Sequence, residues 1–366
     1  MAWEQEIKTA EEVLSRALPI RPVDKGWILR VQRAWDALAK PLDGFGRLEQ
    51  ETARIGGIQK TFPPDLSHAE VLVLASDNGI VAEGVSQSGQ EVTALCAGRI
   101  AAGCSTLGPL AARTGARILV YDLGICGPTP AGVIPHKIAS GTRDFLKAPA
   151  MTRKETLAAI GTGICLVRER KQAGATLLGT GEMGIGNTTT SAAILSALLH
   201  LSPEETCGRG AGLSDAGLAR KREVVRRGLQ RYQSDCSDPL AVLSDLGGFD
   251  LAGLAGVCLG GALYHVPILL DGIISQAAAL AAWKLNQAAL PFWIPSHRSG
   301  EPAGKAVLSA LSLAPVLDAD LRVGEGTGAL LVLDLLQSAC SVLTSSQDFS
   351  DYGLTPYRRP EDAAHA

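Results

Sequence analysis

Six short, β-rich apolar runs constrain the fold of this 366-residue chain more than any other feature. They lie at residues 71–75, 118–123, 176–178, 266–270, 292–295 and 321–323. Each run is a block of apolar residues with no regular polar alternation, so both faces of the resulting sheet are expected to be covered. The stretches between the runs are rich in small residues and have helical character. This pattern predicts an α/β fold: a doubly wound, Rossmann-like, mostly parallel sheet of about six strands.

The two ends of the chain follow a different pattern from the middle. Residues 3–18 and 27–39 carry apolar side chains at helical spacing, and residues 329–343 do the same. We therefore predict a large α/β domain at 62–330 that carries the catalytic site. A smaller helical domain is expected from residues 1–61 together with 331–366.

Composition and charge exclude several functional classes. Charged residues make up only 19% of the chain and the net charge is −3, with no basic stripe, so nucleic acid is not expected as a partner. The eight cysteines form no CxxC pair, which favours free thiols in a reducing cytoplasm over a zinc or disulfide framework. The uncharged run 251–270 contains a Gly-Gly pair and is interpreted as a buried helix and strand, so no membrane association is expected.

The clearest single motif is the glycine- and threonine-rich segment 181–190, which follows one of the runs and precedes a helix predicted at 191–200. Glycines let backbone N–H groups approach an anion, and a helix N-terminus adds partial positive charge. Asn187 stands where a Walker A lysine would follow Gly186, so the segment is not a P-loop. It favours binding of a phosphomonoester over ATP, although a plain strand-to-helix turn also accounts for the glycines.

Two glutamates lie beside glycines immediately after predicted strands. Glu325 is flanked by Gly324 and Gly326, and Glu182 follows Gly181. A carboxylate near apolar strand ends would have a raised pKa, which suits a general base. A solvated turn glutamate is the alternative interpretation of each. The histidines are scattered and no Cys/His cluster occurs, so neither a metal site nor a cofactor is expected.

A second glycine-rich loop, at 208–212, precedes a basic helix predicted at 216–232. The basic residues of this helix are typical of a solvated face. Arg209 or Lys221 could still meet a phosphate or a carboxylate.

These segments together resemble one family, the nicotinate mononucleotide:5,6-dimethylbenzimidazole phosphoribosyltransferases, or CobT family, which make the lower nucleotide of cobamides. The resemblance covers most of the chain, and its most specific strings are GEMGIGNTT at 181–189 and GEGTGA at 324–329. Further matching segments lie at 40–49, 77–80, 83–86, 90–93, 208–221, 247–250, 271–272 and 296–302.

The resemblance implies that the enzyme moves the 5-phosphoribosyl group of nicotinate mononucleotide to an aromatic acceptor, releasing nicotinate and forming an α-riboside 5′-phosphate with inversion. It implies that Glu325 is the general base and Glu182 the second glutamate. The nicotinate ring is a pyridinium while it is bound to the ribose and becomes a neutral pyridine ring when it departs. No general acid, metal or cofactor is therefore required. The ribose and phosphate contacts implied for this chain are Gly184, Gly186, Asn187, Thr188, Gly208, Lys221, Asp271 and Ser299.

The chain departs from the family pattern where the acceptor should bind. Asn78 stands where the family usually has histidine, and Ser88 lies in a second atypical segment. One branch of the family, the ArsAB-like enzymes, activates phenol or p-cresol and is built from two homologous chains. An altered pocket near Asn78, Ser88 and Gln90 would fit a phenol, so the acceptor stays open between a benzimidazole and a phenol.

The partner and the reaction class also have alternatives. The chain is expected to form a homodimer or a heterodimer with a homologous chain. A non-catalytic homologous subunit and a nucleotide-dependent kinase using segment 181–190 are the rival functions. A Rossmann dehydrogenase is disfavoured, because the ribose-binding acid expected about 20 residues after the glycines is not evident at a strand end.

Overall fold

The computed structural model describes residues 3–232 and 238–359 and contains one six-stranded sheet. Every strand pairs in parallel with its neighbours, in the order β3-β2-β1-β4-β5-β6. This order is that of the doubly wound Rossmann fold, which confirms the predicted fold class. The strands are β1 (Ala69–Ser76), β2 (Arg117–Gly124), β3 (Ile134–Pro135), β4 (Leu177–Met183), β5 (Ile268–Leu270) and β6 (Trp293–Pro295).

Fourteen α-helices are assigned within the described residues. They are α1 (Glu4–Leu14), α2 (Lys25–Ala37), α3 (Arg47–Gln59), α4 (Glu91–Ala101), α5 (Leu107–Thr114), α6 (Arg153–Gln172), α7 (Asn187–Leu199), α8 (Pro203–Thr206), α9 (Asp215–Arg231), α10 (Pro239–Leu246), α11 (Phe249–Tyr264), α12 (Ile273–Leu285), α13 (Gly304–Ala310) and α14 (Thr327–Ser345).

Strand β1 shows why the apolar runs are blocks. Leu72 and Leu74 belong to the core that the sheet forms with α6, α7, α11 and α12. Val71 and Val73 belong to a second core on the opposite face, with α3, α4, α5 and α14. Because successive strand residues point to opposite faces, a strand covered on both sides must be apolar at every position.

One of the six predicted strands is wrong. Residues 321–323 form no strand: Val323 is 52% exposed, and Arg322 donates from Nε to the carbonyl of Gly300 at 3.1 Å. The sixth strand of the sheet is instead β3, at the edge opposite β6. It has only two residues and ends at a proline. So short an edge strand leaves no apolar run in the sequence.

The helices at the chain ends pack in two places. Helices α2, α3 and α14 share a small core of Val31, Trp35, Ala53, Ala339 and Leu343. Helix α1 packs on α6 instead, and its Ala10 and Val13 belong to the core on the face of the sheet that α6 covers. The predicted division into one domain at 62–330 and a second domain made from the two chain ends stays a prediction.

The uncharged run 251–270 lies inside the protein, as predicted, because it contributes α11 and the buried strand β5. Among the described residues one helix, α14, is long and apolar enough to match a membrane span by composition. About half of α14 is buried against the sheet and α3, which is the arrangement of a core helix in a globular protein.

Glycines bring α6 and α11 into unusually close contact. A Cβ added at Gly163 would lie 2.0 Å from the carbonyl oxygen of Gly253, and one at Gly256 would lie 2.0 Å from that of Ile160. Both approaches involve backbone atoms, which cannot move aside as a side chain can. The small-residue composition of these two helices is therefore a packing requirement.

We predict that Gly163→Ala destabilises the protein by about 1–3 kcal/mol, because the added methyl overpacks the helix contact. The matched control is Gly98→Ala in α4, where a Cβ would have ordinary contacts at 3.4 Å. That control should be neutral or slightly stabilising, since alanine favours a helix over glycine. Urea unfolding of both variants measures the difference, and equal midpoints would contradict the packing argument.

Candidate active site

The strand order reverses between β1 and β4, and a crevice opens beyond the carboxyl end of β4. In doubly wound sheets this switch point is where ligands bind. A cavity of about 190 Å³ lies there and extends past β5 and β6. Six predicted site residues line it: Glu182, Gly184, Asn187, Thr188, Asp271 and Ser299.

The segment after β4 forms a tight turn into α7. Gly186 adopts a left-handed conformation with φ of 95° and caps the helix, which begins at Asn187, four residues earlier than predicted. A Cβ at Gly184 would lie 2.5 Å from the carbonyl oxygen of Ser76, so glycine lets this turn pack against the end of β1. Gly186 and Thr188 also line a smaller adjoining cavity of about 80 Å³. The N-terminus of α7 therefore faces both cavities.

Lys221 lies directly behind this helix N-terminus. It is fully buried on α9, and its Nζ donates to Thr188 Oγ1 at 2.9 Å and to the carbonyl of Gly208 at 3.1 Å. Burial lowers the pKa of Lys221. Within the described chain it has no carboxylate at ion-pair distance, so the cationic head is matched only by neutral acceptors. A buried cation of this kind beside a helix N-terminus favours an anionic ligand.

The second feature of the site is a group of two carboxyls and one amide, in which Asp250 and Asn187 are buried and Glu182 is half-buried. Asn187 Nδ2 donates to Glu182 Oε2 and, at 3.1 Å, to Asp250 Oδ2. Burial raises the pKa of Glu182 to about 7, with the charges of Asp250 and Asp271 acting in the same direction. Burial also raises the pKa of Asp250 to about 6. At neutral pH this group can take up or release a proton.

Glu325 lies on the turn before α14, directly after Gly324 of the cavity wall, and does not itself line either cavity. Its backbone is left-handed with φ of 62°, and its N–H donates to Glu182 Oε1 at 3.4 Å. The carboxylate points toward α5, where Thr106 Oγ1 donates to Oε2 at 3.0 Å. The two predicted catalytic glutamates are thus adjacent, and both are half-buried. Glu325 follows a loop and not a strand, which corrects the position inferred from residues 321–323.

Asp271 fixes this arrangement from the end of β5. Its carboxylate accepts hydrogen bonds from the N–H groups of Gly326 at 3.0 Å, Gly328 at 2.8 Å and Ala329 at 3.3 Å. These are N–H groups at the first turn of α14, where a carboxylate is favoured by the helix dipole. Asp271 lines the cavity and also holds the turn that carries Glu325.

The three residues proposed for the acceptor pocket do not line either cavity, although Asn78 packs against Gly184 and Gly186 of the cavity walls. Asn78 is buried, donating from Nδ2 to the carbonyl of Ser76 at 3.3 Å. Gln90 donates from Nε2 to the carbonyl of Asn78 at 3.1 Å, and the N–H of Ser88 donates to Ser86 Oγ at 3.2 Å. Asn78 and Gln90 are therefore joined, and their role toward an acceptor stays a prediction.

Two residues of the site had no role assigned from the sequence. Asp250 occupies the first turn of α11, behind the cavity wall. His297 is buried in the cavity wall, with Nδ1 3.0 Å from Ser296 Oγ and 4.0 Å from Asp271 Oδ1. Burial lowers the pKa of His297, so the neutral ring is favoured. The signal for Asp250 was its place after Gly247-Gly248 in a segment shared with the resembled family.

A search of residues 3–232 and 238–359 finds no group of three or more His, Cys, Asp or Glu side chains that could hold a metal ion.

The raised pKa of Glu182 predicts how stability depends on pH. An unfolded glutamate has its ordinary pKa of 4.5, so between pH 4.5 and about 7 the native state binds more protons than the unfolded one. The free energy of unfolding should therefore fall as pH rises through this window. Glu182→Gln removes this contribution, which is on the order of 3 kcal/mol.

Chemical denaturation at pH 4.5 and at pH 8 tests this. The variant should gain stability relative to the wild type as pH rises, while Glu11→Gln on the exposed face of α1 should follow the wild type. A wild type and a Glu182→Gln variant with parallel pH curves would refute the buried-carboxyl interpretation.

Comparisons with known proteins identify the family. A family profile described as Phosphoribosyltransferase matches residues 20–354. A nicotinate-nucleotide–dimethylbenzimidazole phosphoribosyltransferase of Acetivibrio thermocellus is 42% identical over 329 residues, covering 90% of this chain and 94% of that protein. An enzyme of the same name from Roseiflexus sp. (strain RS-1) is 41% identical over 338 residues, covering 92% of this chain and 96% of that protein.

Solved structures agree with the sequence relatives. The crystal structure of CobT from Thermus thermophilus matches with a TM-score of 0.84 and 38% identity, covering 90% of this chain and 99% of that chain. With near-complete coverage on both sides, this chain belongs to the phosphoribosyltransferase family that contains the nicotinate-nucleotide–dimethylbenzimidazole phosphoribosyltransferases.

Proposed function

We propose that this enzyme transfers the 5-phosphoribosyl group of nicotinate mononucleotide to 5,6-dimethylbenzimidazole, releasing nicotinate. The observation that carries the proposal is one cavity that joins an anion-binding end to a carboxylate end. The names of the relatives supply the substrates. The kinase and dehydrogenase alternatives lose their support, because the family is one of phosphoribosyltransferases.

The anion-binding end suits the 5′-phosphate of the mononucleotide. Here the N-terminus of α7 opens at Gly186, and Thr188 connects the cavity wall to the buried ammonium of Lys221. A phosphate placed against Thr188 would be stabilised by the dipole of α7 and by the positive charge of Lys221 behind it. Gly208 contributes its carbonyl to the orientation of Lys221.

The carboxylate end suits the reacting carbon. Nicotinate mononucleotide carries a pyridinium at C1′, and positive charge moves onto the ribose as the C–N bond breaks. An ionised Glu182 in a water-poor wall would stabilise that charge more strongly than it could in bulk water. The leaving pyridine is neutral, so the cavity needs no proton donor for it.

Glu325 is placed to take the acceptor's proton. It is half-buried at the rim, next to Glu182, so an acceptor entering from α5 would meet Glu325 as its nucleophilic atom approaches the ribose. The unprotonated ring nitrogen of the acceptor attacks C1′ on the face opposite nicotinate, and the proton on the other ring nitrogen passes to the carboxylate of Glu325. This gives the inverted α-riboside 5′-phosphate.

A phenol is the second acceptor to be tested, and the feature that favours it is Asn78 in place of the family's usual histidine. The proposed dimer, with itself or with a homologous chain, and the cytoplasmic location rest on the resemblance and on the cysteine pattern. A non-catalytic role remains the rival that the activity assay excludes or establishes.

The direct test is chromatography of nicotinate released from nicotinate mononucleotide by the purified chain. Release should depend on dimethylbenzimidazole and be accompanied by an α-riboside phosphate. Release that occurs only with phenol would move the chain to the phenol branch. No release with any acceptor, despite a folded protein, would establish the non-catalytic interpretation.

We predict that Glu325→Gln lowers kcat by about 10²–10⁴-fold, as expected for removal of a positioned base. The Michaelis constant for nicotinate mononucleotide should change little, since the phosphate end of the cavity is untouched. Glu11→Gln, an exposed glutamate of α1, serves as the control and should keep wild-type turnover. If Glu325→Gln retains more than about a third of wild-type kcat, Glu182 becomes the leading base.

We predict that Lys221→Gln raises the Michaelis constant for nicotinate mononucleotide roughly 10- to 100-fold, because a charge-assisted contact to phosphate is lost. The constant for the acceptor should stay within about twofold of the wild type. Arg227→Gln, an exposed cation on the same helix, is the matched control. Equal effects on both substrates would show that Lys221 supports the fold and not the phosphate site.

A further inference from the structure

Asp250 lies beside the active site without lining its cavities. It is fully buried at the start of α11, while Glu182 and Asn187 form part of the cavity wall. The link between them is Asn187, whose single amide nitrogen donates to one oxygen of each carboxyl. Asn187 therefore couples Asp250 to the carboxyl that lines the cavity.

The surroundings of this pair do not compensate two negative charges. Within the described chain neither Glu182 nor Asp250 has a lysine, arginine or histidine at ion-pair distance. The groups that face Glu182 are Asn187 from α7, Asp250 from α11, the Asp271 carboxylate after β5 and the Glu325 backbone N–H before α14. Apart from the two hydrogen-bond donors, each is an acid.

Two adjacent carboxyls, one buried and one half-buried in the cavity wall, that share a donor and lack a cation do not both ionise readily. The pair is therefore expected to carry one proton between its members near neutral pH.

The donors around the pair favour an ionised Asp250 over an ionised Glu182. Asp250 Oδ1 accepts the backbone N–H of Leu251 at 3.0 Å, and its Oδ2 accepts the Asn187 amide at 3.1 Å. Asp250 also lies in the first turn of α11, where a carboxylate is stabilised by the helix N-terminus. The proton of the pair is therefore expected on Glu182 when the cavity is empty.

We propose that Asp250 is a positioning residue that sets the charge of Glu182. The two carboxyls, bridged by Asn187, hold one proton between them, which Glu182 carries while Asp250 is ionised. When a cationic ligand fills the cavity, Glu182 gives this proton to water and takes the negative charge. The inference rests on the proposed function in one respect: the cationic ligand is the pyridinium mononucleotide.

The location of the two groups explains the direction of this charge movement. Glu182 lines the cavity and would lie near a bound cation, whereas Asp250 is separated from the cavity by the wall. A positive charge in the cavity therefore favours ionisation of Glu182 over that of Asp250. In this step the O–H bond of Glu182 breaks and the proton passes to water, while Asp250 stays ionised.

The first test is the pH dependence of kcat/KM for nicotinate release. The wild type should lose activity as pH falls through about 7, where Glu182 becomes protonated. Asp250→Asn should move the midpoint of this acid limb down by about one pH unit, because the neighbouring charge is gone. The wild type and the variant act on the same substrate, so any ionisation of the substrate affects both kcat/KM profiles equally. It cancels when the kcat/KM of the variant is divided by that of the wild type.

A second variant shifts the limb in the opposite direction. Asn187→Ser removes the shared donor that favours both ionised forms, so the midpoint should rise. Asp334→Asn, a half-buried acid of α14 paired with Arg113, is the control and should leave the limb in place. An Asp250→Asn protein with reduced kcat and an unmoved limb would mean that Asp250 is only structural.

The pair can also be followed without any substrate. In the ligand-free protein, Asp250→Asn should weaken the loss of unfolding free energy between pH 4.5 and 7, because Glu182 then titrates closer to its ordinary range. If the unfolding free energy of Asp250→Asn falls with pH as steeply as that of the wild type, Asp250 does not set the charge of Glu182, whether or not the protein releases nicotinate. If the slope changes but no nicotinate is released, the proposed function fails and the coupling of the pair stands.

Discussion

The carboxylate of Asp271 holds the first turn of α14 and through it the whole catalytic edge. It accepts three backbone N–H groups of that helix, so the end of β5 and the start of α14 are locked together. The turn between Gly324 and Gly326 must then cross the end of β4, where a Cβ at Gly181 would lie 2.4 Å from the Glu325 carbonyl oxygen. Glycine at position 181 permits this approach, which places Glu325 beside Glu182.

The site around this turn contains buried charge that a protein selected only for stability would avoid. Lys221 is buried against neutral acceptors, and Glu182 and Asp250 are buried against each other. Such groups destabilise the fold unless a ligand or a proton compensates them. Their opposite placement, cation at one end of the cavity and acids at the other, matches a ligand with an anionic phosphate and a cationic ring. The instability is the physical cost of a preorganised site.

Much of the fold could be predicted because its cause is local in the sequence. Five of the six apolar runs became strands, since a strand covered on both faces must be apolar throughout. The two exceptions are segments for which this rule does not hold, because neither is a strand covered on both faces. Edge strand β3 has two residues and leaves no run, whereas residues 321–323 are apolar in part but line the mouth of a cavity.

For the site, the sequence by itself singled out the candidate residues, since Glu182, Asn187, Thr188 and Glu325 stand out through their glycine-rich surroundings. Only the tertiary structure decided which of them meet. The Lys221 side chain reaches Thr188 from a helix 33 residues later, and Asp250 reaches Asn187 from 63 residues later. No local pattern records such contacts, because they arise when the parallel strands align their carboxyl ends and bring distant loops to one edge. Burial, which raises the pKa of Glu182 and lowers that of Lys221, is likewise a property of the packed molecule and not of the chain.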